Sequence, residues 1–288
     1  MPAAIDVIHP AYLIAALSSV LYGSGDFAGG LAARRGFAPL VTWFSGFAGL
    51  AVMLVAIPFA PGTPTPTDYA WGAAAGACGA AGATLIYYSL ALGPVSVASP
   101  TFALVGLSVP VVVGFAFGER PSALAWFGVA LAALAIPLIS WTDSAGPHSP
   151  AHVRRTVIVS IGTGLVIGWF LVFVARIGPG AGLVPLALAR GVAIVVLSVV
   201  LLALRVPPRM PAGTRLMASS AGALDSAANV AYFVAVQQAP MALVSAIVSL
   251  APATTVLLGR LWLGERWSVP QRWGLVAALA AGACISVG

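Results

Sequence analysis

A near-repetition within the chain limits its possible folds more than any other feature. At an offset of 146 positions Pro94 falls on Pro240, Ser99 on Ser245 and Leu104 on Leu250. Gly118-Glu119-Arg120 falls on Gly264-Glu265-Arg266, Ser122 on Ser268 and Gly128 on Gly274, and further upstream Gly76 pairs with Gly222 and Ala81 with Ala227. Chance similarity between apolar segments would not also align the two Gly-Glu-Arg triplets. The offset therefore predicts two copies of one unit, with any shared site lying between them.

Composition decides the medium. Of 288 residues 60% are hydrophobic and 7% charged, with a mean hydropathy of +1.04. A soluble domain carries about 25% charged residues, so this is expected to be an integral membrane protein. All 13 basic residues are Arg. They stand singly or in pairs at the ends of apolar runs, which is the pattern of topology signals and not of a phosphate-tracking patch; a nucleic-acid partner is not expected. Cys78 and Cys284 lie inside apolar segments far apart, as buried small hydrophobes do. His9, His148 and His152 all fall outside those segments. No embedded histidine is available for a zinc site or a histidine-based catalytic site, and neither a metal nor a cofactor is expected. No Arg or Lys precedes the first apolar run, so a cleaved signal peptide is not expected either.

A membrane-spanning helix needs about 20 mostly apolar residues. Ten such runs are present: 11–32, 38–59, 69–92, 95–117, 124–141, 156–175, 183–204, 214–236, 241–263 and 270–287. The long polar segment Thr142–Arg155 separates the first five from the last five. The expected architecture is all-α, with ten transmembrane helices as two five-helix repeats, 1–144 and 156–288, joined by a linker at 145–155. An odd number of spans starts the second copy on the opposite face of the membrane, so the repeat is inverted around a central cavity. Connections after helices 1, 5, 7 and 9 hold Arg34, Arg35, Arg154, Arg155, Arg205, Arg209, Arg215, Arg266 and Arg272; the other side holds Arg120 and Arg176. That bias makes the odd-numbered connections cytoplasmic and puts both termini outside, in a bacterial-type inner membrane.

Glycine and alanine are dense, as at Gly72, Gly76, Gly79 and Gly82, and predict close helix packing. Pro100 and Pro110 interrupt helix 4, and Pro252 interrupts its counterpart, helix 9. Each removes a backbone hydrogen bond. Interrupted helices at matching repeat positions point to a site and a hinge, although a kink used only for packing fits the same residues.

Charges inside the runs are few: Asp26, Arg190, Asp225 and Arg260. A charge at the bilayer centre costs about 2.5–3.5 kcal/mol on insertion scales, and Asp225 sits near the middle of helix 8. Asn229 and Tyr232 follow on the same helical face. Two readings stand: a wall that binds an ammonium or hydroxyl group, or a structural pair of Asp225 with Arg190. Asp26 and Asp225 are the candidates for carrying a proton. Arg190 could meet a substrate carboxylate, whereas Arg260 is placed to snorkel and Glu119 and Glu265 to cap helix ends. Trp126, Trp141, Trp262, Trp267 and Trp273 read as interfacial anchors. Among the aromatics deep in the runs, Tyr87, Tyr88, Trp169 and Phe233 are the candidate pocket walls. Tyr87 and Phe233 are equivalent under the offset and are expected to face each other.

These motifs resemble the EamA-type members of the drug/metabolite transporter superfamily. The second copy carries Asp225-x3-Asn229-x2-Tyr232, Ala239-Pro240, Leu250-Ala251-Pro252, Leu263-Gly264-Glu265-Arg266, Gln271, Gly274 and Gly282. The first keeps Gly93-Pro94 and Gly118-Glu119-Arg120 but has Gly106 in place of Pro252, with Pro110 one turn later; Tyr22-Gly23-Ser24-Gly25-Asp26-Phe27 is similar to the family's first helix. The resemblance implies alternating access, export of small metabolites, often amino acids, and closeness to YddG-type exporters of aromatic and other amino acids. The leading expectation is thus an amino-acid or small-metabolite exporter, acting on a small-molecule substrate within a lipid bilayer as a monomer or weak homodimer. Proton-coupled efflux of cationic drugs is the alternative. A membrane-embedded enzyme or a scaffold without flux stands further off, because no embedded His or Lys supplies a base.

Overall fold

The computed structural model describes residues 9–92, 95–139, 141, 150–263 and 268–287. Among them the chain is helical throughout, with no strand. The helices are α1 (Pro10–Ala33), α2 (Ala38–Ala56), α3 (Pro66–Leu92), α4 (Val95–Ala116), α5 (Ala123–Ile139), α6 (Pro150–Ala175), α7 (Val184–Ala203), α8 (Ala212–Val236), α9 (Met241–Val248), α10 (Ala251–Leu263) and α11 (Val269–Val287). Taking α9 and α10 as the two halves of one crossing gives ten spans. Five of them (α2, α3, α4, α6 and α7) are long and apolar enough to cross a bilayer by length and composition alone. The others are more polar or shorter.

The 146-residue offset reappears in the helix boundaries. α2, α3, α4 and α5 begin at 38, 66, 95 and 123, and α7, α8, α9 and α11 begin at 184, 212, 241 and 269. Two boundaries differ from the apolar runs. α6 starts at Pro150, inside the expected linker, because proline at a first helical position is pre-set for the helix; the helix thus continues past the apolar run through Arg154 and Arg155. The ninth run breaks at Ser249–Leu250, just ahead of Pro252, which has no N–H to continue the ladder. Gly93-Pro94, Gly264-Glu265-Arg266 and Trp267 lie outside the described residues, as does the side chain of Arg260.

Glycine contacts fix the directions of the helices. A side chain at Gly128 of α5 would meet Ile285 and Ala281 of α11, while one at Gly274 of α11 would meet Ile139 and Leu138 of α5. The early part of each helix touches the late part of the other, so α5 and α11 run antiparallel. They are also repeat equivalents, so the two copies point in opposite directions. The remaining contacts obey the same twofold relation. Gly222 of α8 packs on the backbone of Ser45 in α2, and Gly76 of α3 packs on Ala189 in α7. Ser45 Oγ donates to the Ala218 carbonyl at 2.7 Å, and Ser18 Oγ of α1 donates to that of Ala228 at 2.8 Å. Small residues face inward, and large apolar ones such as Val195, Val199, Leu202 and Leu279 face outward, as a lipid-facing surface requires.

Candidate functional site

A cavity of about 820 Å³, counting its mouth, lies between the two copies. The first copy contributes α1, α3 and α4; the second contributes α6, α7, α8 and the α9–α10 break. Most of its wall is apolar, with Ile86, Phe102, Ile167 and Phe170 prominent. The glycines of α3 divide by face. Gly72 and Gly76 hold α7 close, whereas Gly79 and Gly82 border the cavity and, with Gly106 of α4, leave it room.

One side of this apolar chamber is polar. Arg190 of α7 forms an ion pair with Asp225 of α8, the two side chains being 16% and 24% exposed. Asn229, one turn on, donates from Nδ2 to the Asp225 carbonyl at 2.7 Å and to its carboxylate at 3.2 Å. Asn229 Oδ1 in turn accepts from Tyr22 Oη of α1 at 2.9 Å. The network thus ties the first copy to the second at mid-depth. Arg190 is the partner that the structural reading of Asp225 named, yet both side chains also line the cavity. Asp26 lies one turn after Tyr22 on the same face of α1. It lines the cavity and has no hydrogen-bond or ion-pair partner among the described residues. Among the described residues the chamber therefore presents a neutralised pair and one carboxylate without a partner.

The other candidates are dispersed. Tyr232 is fully buried, its hydroxyl donating to the Leu171 carbonyl at 3.1 Å and lying 3.2 Å from Ser245 Oγ. It ties α8 to α6 and α9 away from the cavity wall. Tyr87 is buried against Gly29 in a cluster with Ala32 and Ala218, while Phe233 belongs to the main core cluster. Tyr88 accepts a hydrogen bond from Arg155 at 2.8 Å, and Trp169 is 44% exposed on the outside of the bundle, against Phe173. None of these five lines the cavity. Pro252 lines it at the helix break; Pro100 and Pro110 lie inside α4, which stays continuous. Among the lining residues that the sequence did not mark as site candidates are Tyr22, Phe102, Phe170 and Ser249. No cluster of metal-ligating side chains occurs among the described residues.

A profile of the EamA-like transporter family matches this chain twice, over residues 9–141 and 154–287. The chain belongs to the EamA-like transporter family. Its members move small molecules across membranes, and the chain is accordingly a multi-pass membrane transporter of a small molecule. The two matches coincide with the two copies of the 146-residue repeat. One solved crystal structure is similar over 97% of this chain and 99% of its own, with a TM-score of 0.76 and 16% identity; that likeness shows the fold alone. None of the curated proteins searched matches the sequence.

Proposed function

We propose that this transporter exports amino acids or similar small amino-bearing metabolites by alternating access. The observation that carries the reading is a mostly apolar chamber between inverted copies, with Asp26, Tyr22, Asp225 and Arg190 on its polar side. A substrate ammonium is attracted by the partnerless Asp26, and an α-carboxylate competes with Asp225 for Arg190. Phe102, Phe170 and Ile86 give an apolar side chain somewhere to rest. A zwitterion that takes Arg190 with its carboxylate and Asp26 with its ammonium exchanges one set of charge-assisted hydrogen bonds for another, and the released Asp225 carboxylate keeps the Asn229 amide. Access switches about the Ser249–Pro252 break, where a wall of the chamber is already discontinuous. The connections rich in arginine face the cytoplasm and both termini face outward, in an inner membrane.

A specific observation also favours proton-coupled efflux of organic cations: Asp26 has no partner among the described residues, and such a carboxylate can take either a proton or a cation. A panel of labelled amino acids and quaternary ammonium compounds, assayed for flux in proteoliposomes with and without a proton gradient, separates the two. Saturable flux of amino acids supports the first reading; flux of the cations alone, driven by the gradient, replaces it with the second.

A further inference from the structure

Glu119 ties the first copy to the start of α9, the helix whose other end borders the cavity. After α4 the chain turns at Gly118, whose φ of +92° suits glycine, and the Glu119 N–H returns to the Gly114 carbonyl at 3.0 Å. This turn lays the Glu119 carboxylate over Gly114, where a Cβ would strike it. From there Oε1 accepts from the Met241 N–H at 2.8 Å and Oε2 from the Ala242 N–H at 3.0 Å. Those are the first two amides of α9, a helix preceded by Pro240, whose side chain cannot cap it. A carboxylate of the first copy thus supplies the N-terminal cap of a helix in the second. The other end of that helix, at Val248 and Ser249, is cavity wall.

The same face of the bundle carries three more ties around this cap. Asp68 Oδ1 accepts from the Gly178 N–H at 2.7 Å, Gln237 Nε2 donates to the Ile177 carbonyl at 2.8 Å, and the Arg176 guanidinium lies 3.7 Å over the Phe117 ring. Shifting each residue by 146 positions gives its counterpart in the other copy. Gly114 becomes Arg260, Arg176 becomes Gly30, Gln237 becomes Ala91 and Asp68 becomes Thr214. Glu119 keeps its Glu twin, Glu265, but the glycine that makes room for it and the side chains of the neighbouring ties are not repeated.

We infer that Glu119 is a positioning residue that latches the cavity shut at the face where α4 ends and α9 begins. The state open at the Glu119 face is the one that must break charge-assisted bonds to form. The inference rests on the alternating-access reading but not on any substrate.

Cys78 lines the cavity and supplies the test. In a Cys284→Ala background, reconstituted with known orientation, the rate of Cys78 labelling by a membrane-impermeant methanethiosulfonate is measured from each face. Glu119→Gln is expected to raise labelling from the Glu119 face about tenfold and to leave the other face within twofold. Gln237→Ala, which cuts a neighbouring tie without touching the cap, is expected to act in the same direction by about threefold, and it serves as the test if Glu119→Gln does not fold. Unchanged labelling from the Glu119 face, or an equal rise from both faces, overturns the latch. Because the readout is thiol modification, a failure of the amino-acid reading in a flux assay leaves this result standing, and the reverse also holds.

Discussion

The Arg190–Asp225 pair permits a prediction with a worked magnitude. A fully buried ion pair costs about 3–5 kcal/mol when one partner is removed, and an exposed one under about 1 kcal/mol. At 16% and 24% exposure this pair lies nearer the buried limit, so each single change is expected to cost about 2–4 kcal/mol. The two changes are not equivalent. In Arg190→Gln the Asp225 carboxylate keeps the Asn229 amide at 3.2 Å. In Asp225→Asn the guanidinium loses the only anionic partner it has among the described residues. Asp225→Asn is therefore expected to cost about 1 kcal/mol more than Arg190→Gln. The double variant removes both charges and is expected to recover about 2 kcal/mol of the summed single losses. Unfolding in mild detergent, followed by tryptophan fluorescence, measures all four proteins; at about 2–4 °C per kcal/mol, a loss of about 3 kcal/mol lowers the Asp225→Asn midpoint by about 6–12 °C. Additive losses to within about 0.5 kcal/mol would show that the pair is not energetically coupled, and the polar side of the chamber would need another account.

Further outcomes follow from burial and facing. Tyr232→Phe should lower stability by about 1 kcal/mol, through the lost bonds to Leu171 and Ser245, and leave flux within twofold; a tenfold loss of flux at unchanged stability would return Tyr232 to the site. Phe170→Ala should change apparent substrate affinity, whereas Trp169→Ala, at an outward position, should not; concentration-dependent flux on both variants decides. Gly222→Leu should abolish folded yield in size-exclusion chromatography, since the new side chain falls on the Ser45 backbone and no flexible group can move aside. A monodisperse Gly222→Leu protein would contradict the close approach of α2 and α8.

The fold was largely legible because the repeat offset acts on every residue at once, and helix starts 146 apart leave little freedom once one copy is placed. The site was legible only in part. Asp225, Asn229 and Arg190 stand out because charge and amide groups are rare in apolar runs, and the structure brings these three together. Aromatic residues carry no such signal, since the same side chain suits core, cavity and lipid. Trp169 and Phe170 are neighbours about 100° apart on a helix, so one faces the chamber while the other turns away. Tyr232 shares a face with Asp225 but lies seven residues on, about 10 Å along the axis, among the side chains of other helices. Helix periodicity gives the face but not the depth. The break of the ninth run was signalled by Pro252; that α4 stays continuous through two prolines was not, and Gly106 at the matching position keeps the N–H that Pro252 lacks.

Blocking the chamber through its own thiol tests most directly whether it is the transport path. In a Cys284→Ala protein whose flux has been established, Cys78 is modified to completion with a bulky maleimide. Flux should then fall to the background of empty vesicles, and saturating substrate should slow the modification. Undiminished flux through protein whose Cys78 is fully modified would mean that the substrate crosses elsewhere.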